Sequence, residues 1–242
     1  MDLIIRGQTD TPGKKDYTRV FLPESEAYSK SSHIDTPEIL SFNNRLPFAK
    51  RLQPLLKEIL SFDDENVSQT LETLTFFCHG WSTGIQAGVT IGNLPKFLDA
   101  LEKSFQVVSD IQVNLYCCST GDDPQDNSKQ AAGTPNQNKT EFNVGDHSFA
   151  DAFRDLLCQR NYRNCKVVAH TTAGHATQNP YAVFFEGAGS PVGGTGGQMP
   201  VTPKMGKLWK TWKRLLRGKT TFRFDYPFMN IAEIHEHLIA EE

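Results

Sequence analysis

Three short apolar runs, separated by two amphipathic stretches, constrain this chain more than any other feature. Leu71 to Cys78 (LETLTFFC), Ile111 to Cys117 (IQVNLYC) and Cys165 to Ala169 (CKVVA) read as strands. Between the first two, Leu94, Phe97, Leu98, Leu101 and Phe105 fall on one helical stripe over residues 94–107. Between the last two, a helix is expected from Phe149 to Arg160, with Ser148 as its N-cap. Parallel neighbours need a long return connection, so this alternation implies a largely parallel sheet with right-handed crossovers, an α/β protein. Such sheets meet their ligands at the carboxyl ends of the strands. His79, Cys118 and His170 each stand just past such an end, so topology alone gathers them on one edge.

The remainder is read less sharply. Leu3-Ile4-Ile5 and Arg19-Val20-Phe21-Leu22 flank a Thr11-Pro12-Gly13 turn signal, which predicts a β-hairpin over residues 1–24. Residues 25–45 are polar and weakly periodic. Phe48, Leu52, Leu55, Leu56, Ile59 and Leu60 recur at helical spacing between Pro47 and Phe62, with Pro54 expected to bend that helix or to mark a new start. Residues 121–147 are polar and read as a long loop. Residues 186–203 are rich in Gly and Pro and read as a flexible loop. Lys204 to Arg217 reads as a basic amphipathic helix bearing Trp209 and Trp212, suited to packing on the domain, to an acidic or membrane surface, or to substrate, and residues 230–240 read as a short helix. The expected organisation is one domain over 1–242, with an N-terminal hairpin and polar segment (1–45), a core (46–185) and a C-terminal extension (186–242).

Composition narrows the class of function. Of 242 residues 38% are hydrophobic and 22% charged, and the net charge of -3 gives no basic surplus for nucleic acid. The first residues lack a basic segment followed by a long apolar run, and no later run is long enough to span a bilayer, so a cytoplasmic location is expected. Secretion without a cleaved signal is also compatible. Five cysteines without a CxxC pair favour neither a disulfide framework nor a structural zinc site.

A cysteine nucleophile needs its thiolate or a base to remove its proton, and donors for the oxyanion it creates. Phe76-Phe77-Cys78-His79-Gly80 resembles the strand-then-His-Gly motif of the caspase-like cysteine peptidases. Leu115-Tyr116-Cys117-Cys118-Ser119-Thr120-Gly121 resembles their second motif, closest to the CHAT branch, where a strand ends in Leu-Ser-Ala-Cys-x-Thr-Gly. Cys117 stands where that branch has a small Ala. The resemblance covers about residues 70–170. It implies a caspase-like three-layer α/β/α fold with a mostly parallel central sheet. It also implies a Cys118 nucleophile, a His79 base, and oxyanion donors on the backbone of Gly80 and Cys118. Cys118 follows His79 by 39 residues (118 − 79), the length of one strand–helix–strand crossover. Strand alternation turns Cys117 toward the packing side, and Cys78, Cys158 and Cys165 are expected in the core.

The function this implies is cleavage of protein or peptide substrates through a Cys-His dyad and a thioester, without metal or cofactor. A regulatory partner protein and a role as a bacterial defence or toxin effector fit the same resemblance. Asp122 and Asp123 are candidates to meet a basic substrate side chain, with a solvated loop as the other reading. His170 and His175 are candidates to line the cleft, or to hydrogen-bond locally. Two readings compete. In an α/β-hydrolase, Thr171 would occupy the nucleophile elbow, but both flanking glycines are missing. In an interaction domain of the same fold, His79 and Cys118 would be idle.

Overall fold

Leu3, Ile4 and Ile5 are completely buried, and the strand that holds them is flanked on both edges. The computed structural model describes residues 1–9, 21–30, 37–62, 69–122, 147–170, 182–187 and 196–198. In chain order these form β1 (Asp2–Gly7), α1 (Phe21–Ser29), β2 (Pro37–Phe42), α2 (Leu52–Leu60), β3 (Gln69–Phe77), a small ribbon of β4 (Gly80–Trp81) and β5 (Gly84–Ile85), α3 (Leu94–Ser104), β6 (Phe105–Tyr116), α4 (Phe149–Gln159), β7 (Lys166–His170), β8 (Ala182–Glu186) and β9 (Gly196–Gln198). Seven strands make one sheet in the order β2-β1-β3-β6-β7-β8-β9. The first five run parallel, and β8 and β9 are added antiparallel at one edge. The fold is mixed α/β with a mostly parallel central sheet.

Helices cover both faces of the sheet, and strand alternation decides which residues meet which helix. Leu3, Ile5, Leu74, Phe76, Val113, Leu115, Val167 and Ala169 share one core with Leu55 and Ile59 of α2, Phe97 and Leu101 of α3, and Phe153 and Leu157 of α4. Each such Leu, Ile, Val or Phe side chain contributes about 1.5–3 kcal/mol when fully buried. The alternate residues face α1. There Phe77 and Tyr116 stack at 4.7 Å, and both rings meet Tyr28 of α1. The Tyr28 hydroxyl accepts from Thr75 Oγ1 at 3.3 Å and lies 3.5 Å from Asn114 Nδ2, which gives the buried polar groups of this layer partners.

The connection after β1 leads to one edge of the sheet, and the connection after β3 leads toward the other. Neighbouring strands whose connections diverge in this way form a topological switch point, where such sheets open a crevice at the strands' carboxyl ends. His79 lies in the loop that leaves β3 at this point.

The hairpin expected over residues 1–24 does not form. Both edges of β1 are taken by parallel partners, and Phe21 and Leu22 open helix α1. A run such as Leu3-Ile4-Ile5, buried on both faces, looks the same in a hairpin and in a central parallel strand. The polar stretch 25–45 likewise contains β2, so the N-terminal segment contributes two strands to the sheet. Pro54 falls in the first turn of α2, where its missing N–H removes no helical bond, and it marks a start. Helix α3 stops at Ser104, short of the expected 107, and β6 begins at once. The β3–β6 register jumps between Leu71–Val107 and Thr73–Gln112, so the polar residues Ser109 and Asp110 sit in an irregularity that hides the early part of β6 from a periodicity reading. Within the Gly-rich stretch 186–203, Gly196–Gln198 form β9. Among the described residues no helix is long and apolar enough to cross a membrane.

Candidate functional site

The last register pair between β3 and β6 is Phe77 with Tyr116, so the two chains leave the sheet side by side. Cys78 and Cys117 come first, and their sulfurs lie 3.6 Å apart in the core. Cys117 Sγ also lies 3.8 Å from the Phe76 carbonyl oxygen. Burial, followed by its contact with Cys78, pushes the Cys117 thiol well above its ordinary value. A buried thiol held protonated is a poor nucleophile. Cys118, one residue on, is half-buried, and it alone of the five cysteines is not fully buried.

The chain turns sharply after Cys118. Ser119 adopts a left-handed conformation with φ of 54°, uncommon for a residue with a side chain. Thr120 Oγ1 donates to the Cys117 carbonyl at 3.1 Å, and the Asp122 N–H donates to the Ser119 carbonyl at 3.2 Å. This turn presses against the loop after β3. A Cβ on Gly80 would lie 2.7 Å from Thr120 Cγ2, 2.8 Å from Cys117 Cβ and 2.9 Å from the Cys118 carbonyl oxygen. Residue 80 is therefore glycine for space: no side chain fits between the two loops.

His79 is held from several sides. The Gln86 N–H donates to the His79 carbonyl at 2.8 Å, and the His79 N–H points at Gln86 Oε1 at 3.5 Å. The Phe21 ring stands edge-to-face with the His79 imidazole, with centroids 4.9 Å apart and an interplanar angle of 84°. Helix α4 joins the two loops. The Phe149 N–H donates to the Ser82 carbonyl at 2.6 Å, and the Ala150 N–H to the Thr120 carbonyl at 3.0 Å. These are first-turn donors with no partner inside the helix. Ser148 caps α4 as expected, accepting from the Asp151 N–H at 3.2 Å. The Asp151 carboxylate accepts from the His147 N–H at 3.0 Å and pairs with Arg154 at 2.5 Å.

His79, Gly80 and Cys118 thus come together at the ends of adjacent parallel strands. Asp122 lies in the turn just after Cys118, half-buried. His170 ends β7, one strand further along, and is buried. Its ring is 6.4 Å from that of Tyr116, and its carbonyl accepts from the Gly121 N–H at 2.9 Å, bracing the Cys118 turn from below. Asp123, His175 and Thr171 lie outside the described residues, as do Lys204 to Arg217, residues 230–240 and most of 121–147. The sequence pattern missed Gln86 and Phe21 as neighbours of His79. Phe21 is 58 residues earlier (79 − 21), and no local signal links the two. The Cys-x-Thr-Gly match includes Thr120, but nothing in that pattern signals its bond to the Cys117 carbonyl.

Among the described residues, no three His, Cys, Asp or Glu side chains gather as a metal-binding group. A half-buried cysteine, a histidine and a close-packed glycine backbone at adjoining strand ends are the components nucleophilic acyl transfer uses. No protein-family model matches the chain, and neither curated proteins nor solved structures gave a match.

Proposed function

We propose that this chain is a cysteine endopeptidase of caspase-like type, with Cys118 as nucleophile and His79 as general base. The observation that carries the reading is the contact of the two loops: Gly80 sits so close to the Cys118 turn that a Cβ added to it would meet the Cys117 Cβ, the Thr120 methyl and the Cys118 carbonyl oxygen. Two further features support it. Cys117 is buried with its thiol pushed up, whereas Cys118 beside it is half-buried and is the better candidate of the pair. His79 leaves β3 at the switch point of the sheet, where a substrate would be met.

In this mechanism His79 takes the Cys118 proton, and the sulfur attacks the peptide carbonyl carbon. A C–S bond forms, and the carbonyl π pair moves onto oxygen, held by the N–H groups of Gly80 and Cys118. The oxyanion collapses, the C–N bond breaks, and imidazolium gives its proton to the departing amine. Water, deprotonated by His79, then attacks the thioester carbon; the intermediate collapses, the C–S bond breaks, the acyl fragment leaves as the carboxylic acid, and the imidazolium returns its proton to the Cys118 sulfur.

The test is a positional-scanning peptide library under reducing conditions, with and without calcium, using wild type, Cys118→Ala and His79→Ala. Cleavage by wild type is expected, with a loss of at least about a thousandfold in each variant. Absence of cleavage by wild type, or its persistence in Cys118→Ala, defeats the proposal.

A further inference from the structure

Thr120 is completely buried, and three of its groups are engaged at once. Its hydroxyl donates to the Cys117 carbonyl at 3.1 Å. Its methyl lies beside Gly80, where an added Cβ would come within 2.7 Å of it. Its carbonyl accepts from the Ala150 N–H of α4 at 3.0 Å, and the Gly121 N–H of the same peptide unit donates to the His170 carbonyl at 2.9 Å. That peptide unit is pinned at both ends, to α4 and to β7, so Thr120 is fixed from outside the turn. The left-handed Ser119 folds the chain back and lets the Thr120 side chain reach over Cys117.

We propose that Thr120 is a positioning residue for the oxyanion donor at Cys118: its hydroxyl, bonded to the Cys117 carbonyl, sets the plane of the peptide unit that carries the Cys118 N–H. This inference rests on the peptidase reading and deepens it. The Cys117 carbonyl and the Cys118 N–H belong to one rigid plane, and in a trans peptide they point in opposite directions. No peptide bond among the described residues is cis. A bond that orients the carbonyl therefore orients the N–H, whatever other contacts Cys118 makes. A carbonyl that accepts a hydrogen bond also polarises the N–H across the plane, which strengthens it as a donor to developing negative charge. Cys117 and Thr120 are both buried, so this bond forms away from solvent. The hydroxyl and the methyl of Thr120 stand on one Cβ with a stiff χ1, so a single side chain spans both proposed donors, Gly80 and the peptide unit of Cys118.

Two reactions of the same sulfur separate this role from a merely structural one. p-Nitrophenyl acetate acylates a cysteine through a tetrahedral oxyanion: the sulfur adds to the ester carbonyl, a C–S bond forms, and p-nitrophenolate leaves as the C–O bond breaks. Iodoacetamide alkylates the sulfur by displacing iodide and forms no oxyanion. Both rates at Cys118 are measured at neutral pH by peptide mapping of the full chain, for wild type, Cys118→Ala, Thr120→Val, Thr120→Ala and Thr120→Ser. Thr120→Val keeps the shape and loses the hydroxyl, whereas Thr120→Ser keeps the hydroxyl and loses the methyl. With Thr120 as positioning residue, acylation falls by about ten- to a hundredfold in Thr120→Val, less than the loss on deleting an oxyanion donor outright. Alkylation keeps its wild-type rate in that variant, and Thr120→Ser recovers the acylation. Should Thr120→Val fail to fold, Thr120→Ala carries the same expectation. Wild-type acylation without the hydroxyl, or an equal loss of both reactions, overturns the positioning role and leaves the dyad standing. A wild-type chain whose Cys118 is not acylated, or ester cleavage that persists in Cys118→Ala, overturns the peptidase reading, and the role of Thr120 with it.

Discussion

Gly80 and Cys118 approach so closely that a single added methyl group on Gly80 would lie 2.9 Å from the Cys118 carbonyl oxygen. The atoms on the other side are Cys117 Cβ and Thr120 Cγ2, which belong to a turn tied to α4 and β7 by backbone bonds. Nothing there moves cheaply. Gly80→Ala is expected to cost about 1–3 kcal/mol of stability by overpacking. It should also slow alkylation of Cys118, because the turn that presents the thiol is displaced. Denaturant midpoints and thiol-labelling rates measured on the same preparation check this; an alanine variant as stable and as reactive as wild type contradicts the packing described.

The adjacent cysteines should behave as chemically different groups. Cys118 is half-buried, whereas Cys117 is fully buried against Cys78 with its thiol pushed up. Under native conditions at neutral pH, limiting iodoacetamide should modify Cys118 first and leave Cys117 intact until the protein unfolds. Peptide mapping decides the matter, and equal labelling of the two would reverse the assignment of nucleophile.

Two ion-pair systems offer a contrast in cost. Arg154 is buried, pairs with Asp151 at 2.5 Å, donates to the Glu186 carbonyl at 3.3 Å and lies over the Phe185 ring at 5.6 Å. Removing it takes the cation away from the buried Asp151 carboxylate, which also accepts from His147 at the start of α4, so Arg154→Ala should cost about 3–5 kcal/mol. Arg160 pairs with Glu102 and with the exposed Asp99, and Arg160→Ala should cost about 0–1 kcal/mol. Urea unfolding of both variants separates these values; similar losses would refute the ranking.

Stability should fall in alkali. Burial, followed by the neighbouring Cys158, pushes the Cys165 thiol from 9.0 up to about 12, and burial raises Cys117 in the same direction. In this window the folded chain keeps protons that the unfolded chain has released. Unfolding therefore releases protons, and the stabilisation present below pH 9 is lost as pH rises from there toward 12. Thermal unfolding between pH 7 and 10 should show a flat region and then a decline, shallower in Cys165→Ala. A decline of equal slope in that variant assigns it to other groups.

Some of this architecture was readable in the chain. The run from Leu71 to Cys78, the stripe from Leu94 to Leu101 and the Ser148 cap of α4 are local signals with one structural solution each, and they place His79 and Cys118 at strand ends. Other elements were not readable, for reasons of the same kind. The extent of β6 was obscured by Ser109 and Asp110. The place of β1 was ambiguous, because a run buried on both faces carries no alternation to show which partner flanks it.

By itself, the sequence determined the alternation of strands and helices and the residue types that follow each strand, because periodicity and capping are encoded within a few residues of where they act. Tertiary structure alone decided that Gly80 abuts the Cys118 turn, that Cys117 faces Cys78 inside the core, and that Phe21 meets His79. Those are contacts between segments tens of residues apart. They are set by strand order, register and the side of the sheet each helix takes, and no local pattern carries that information.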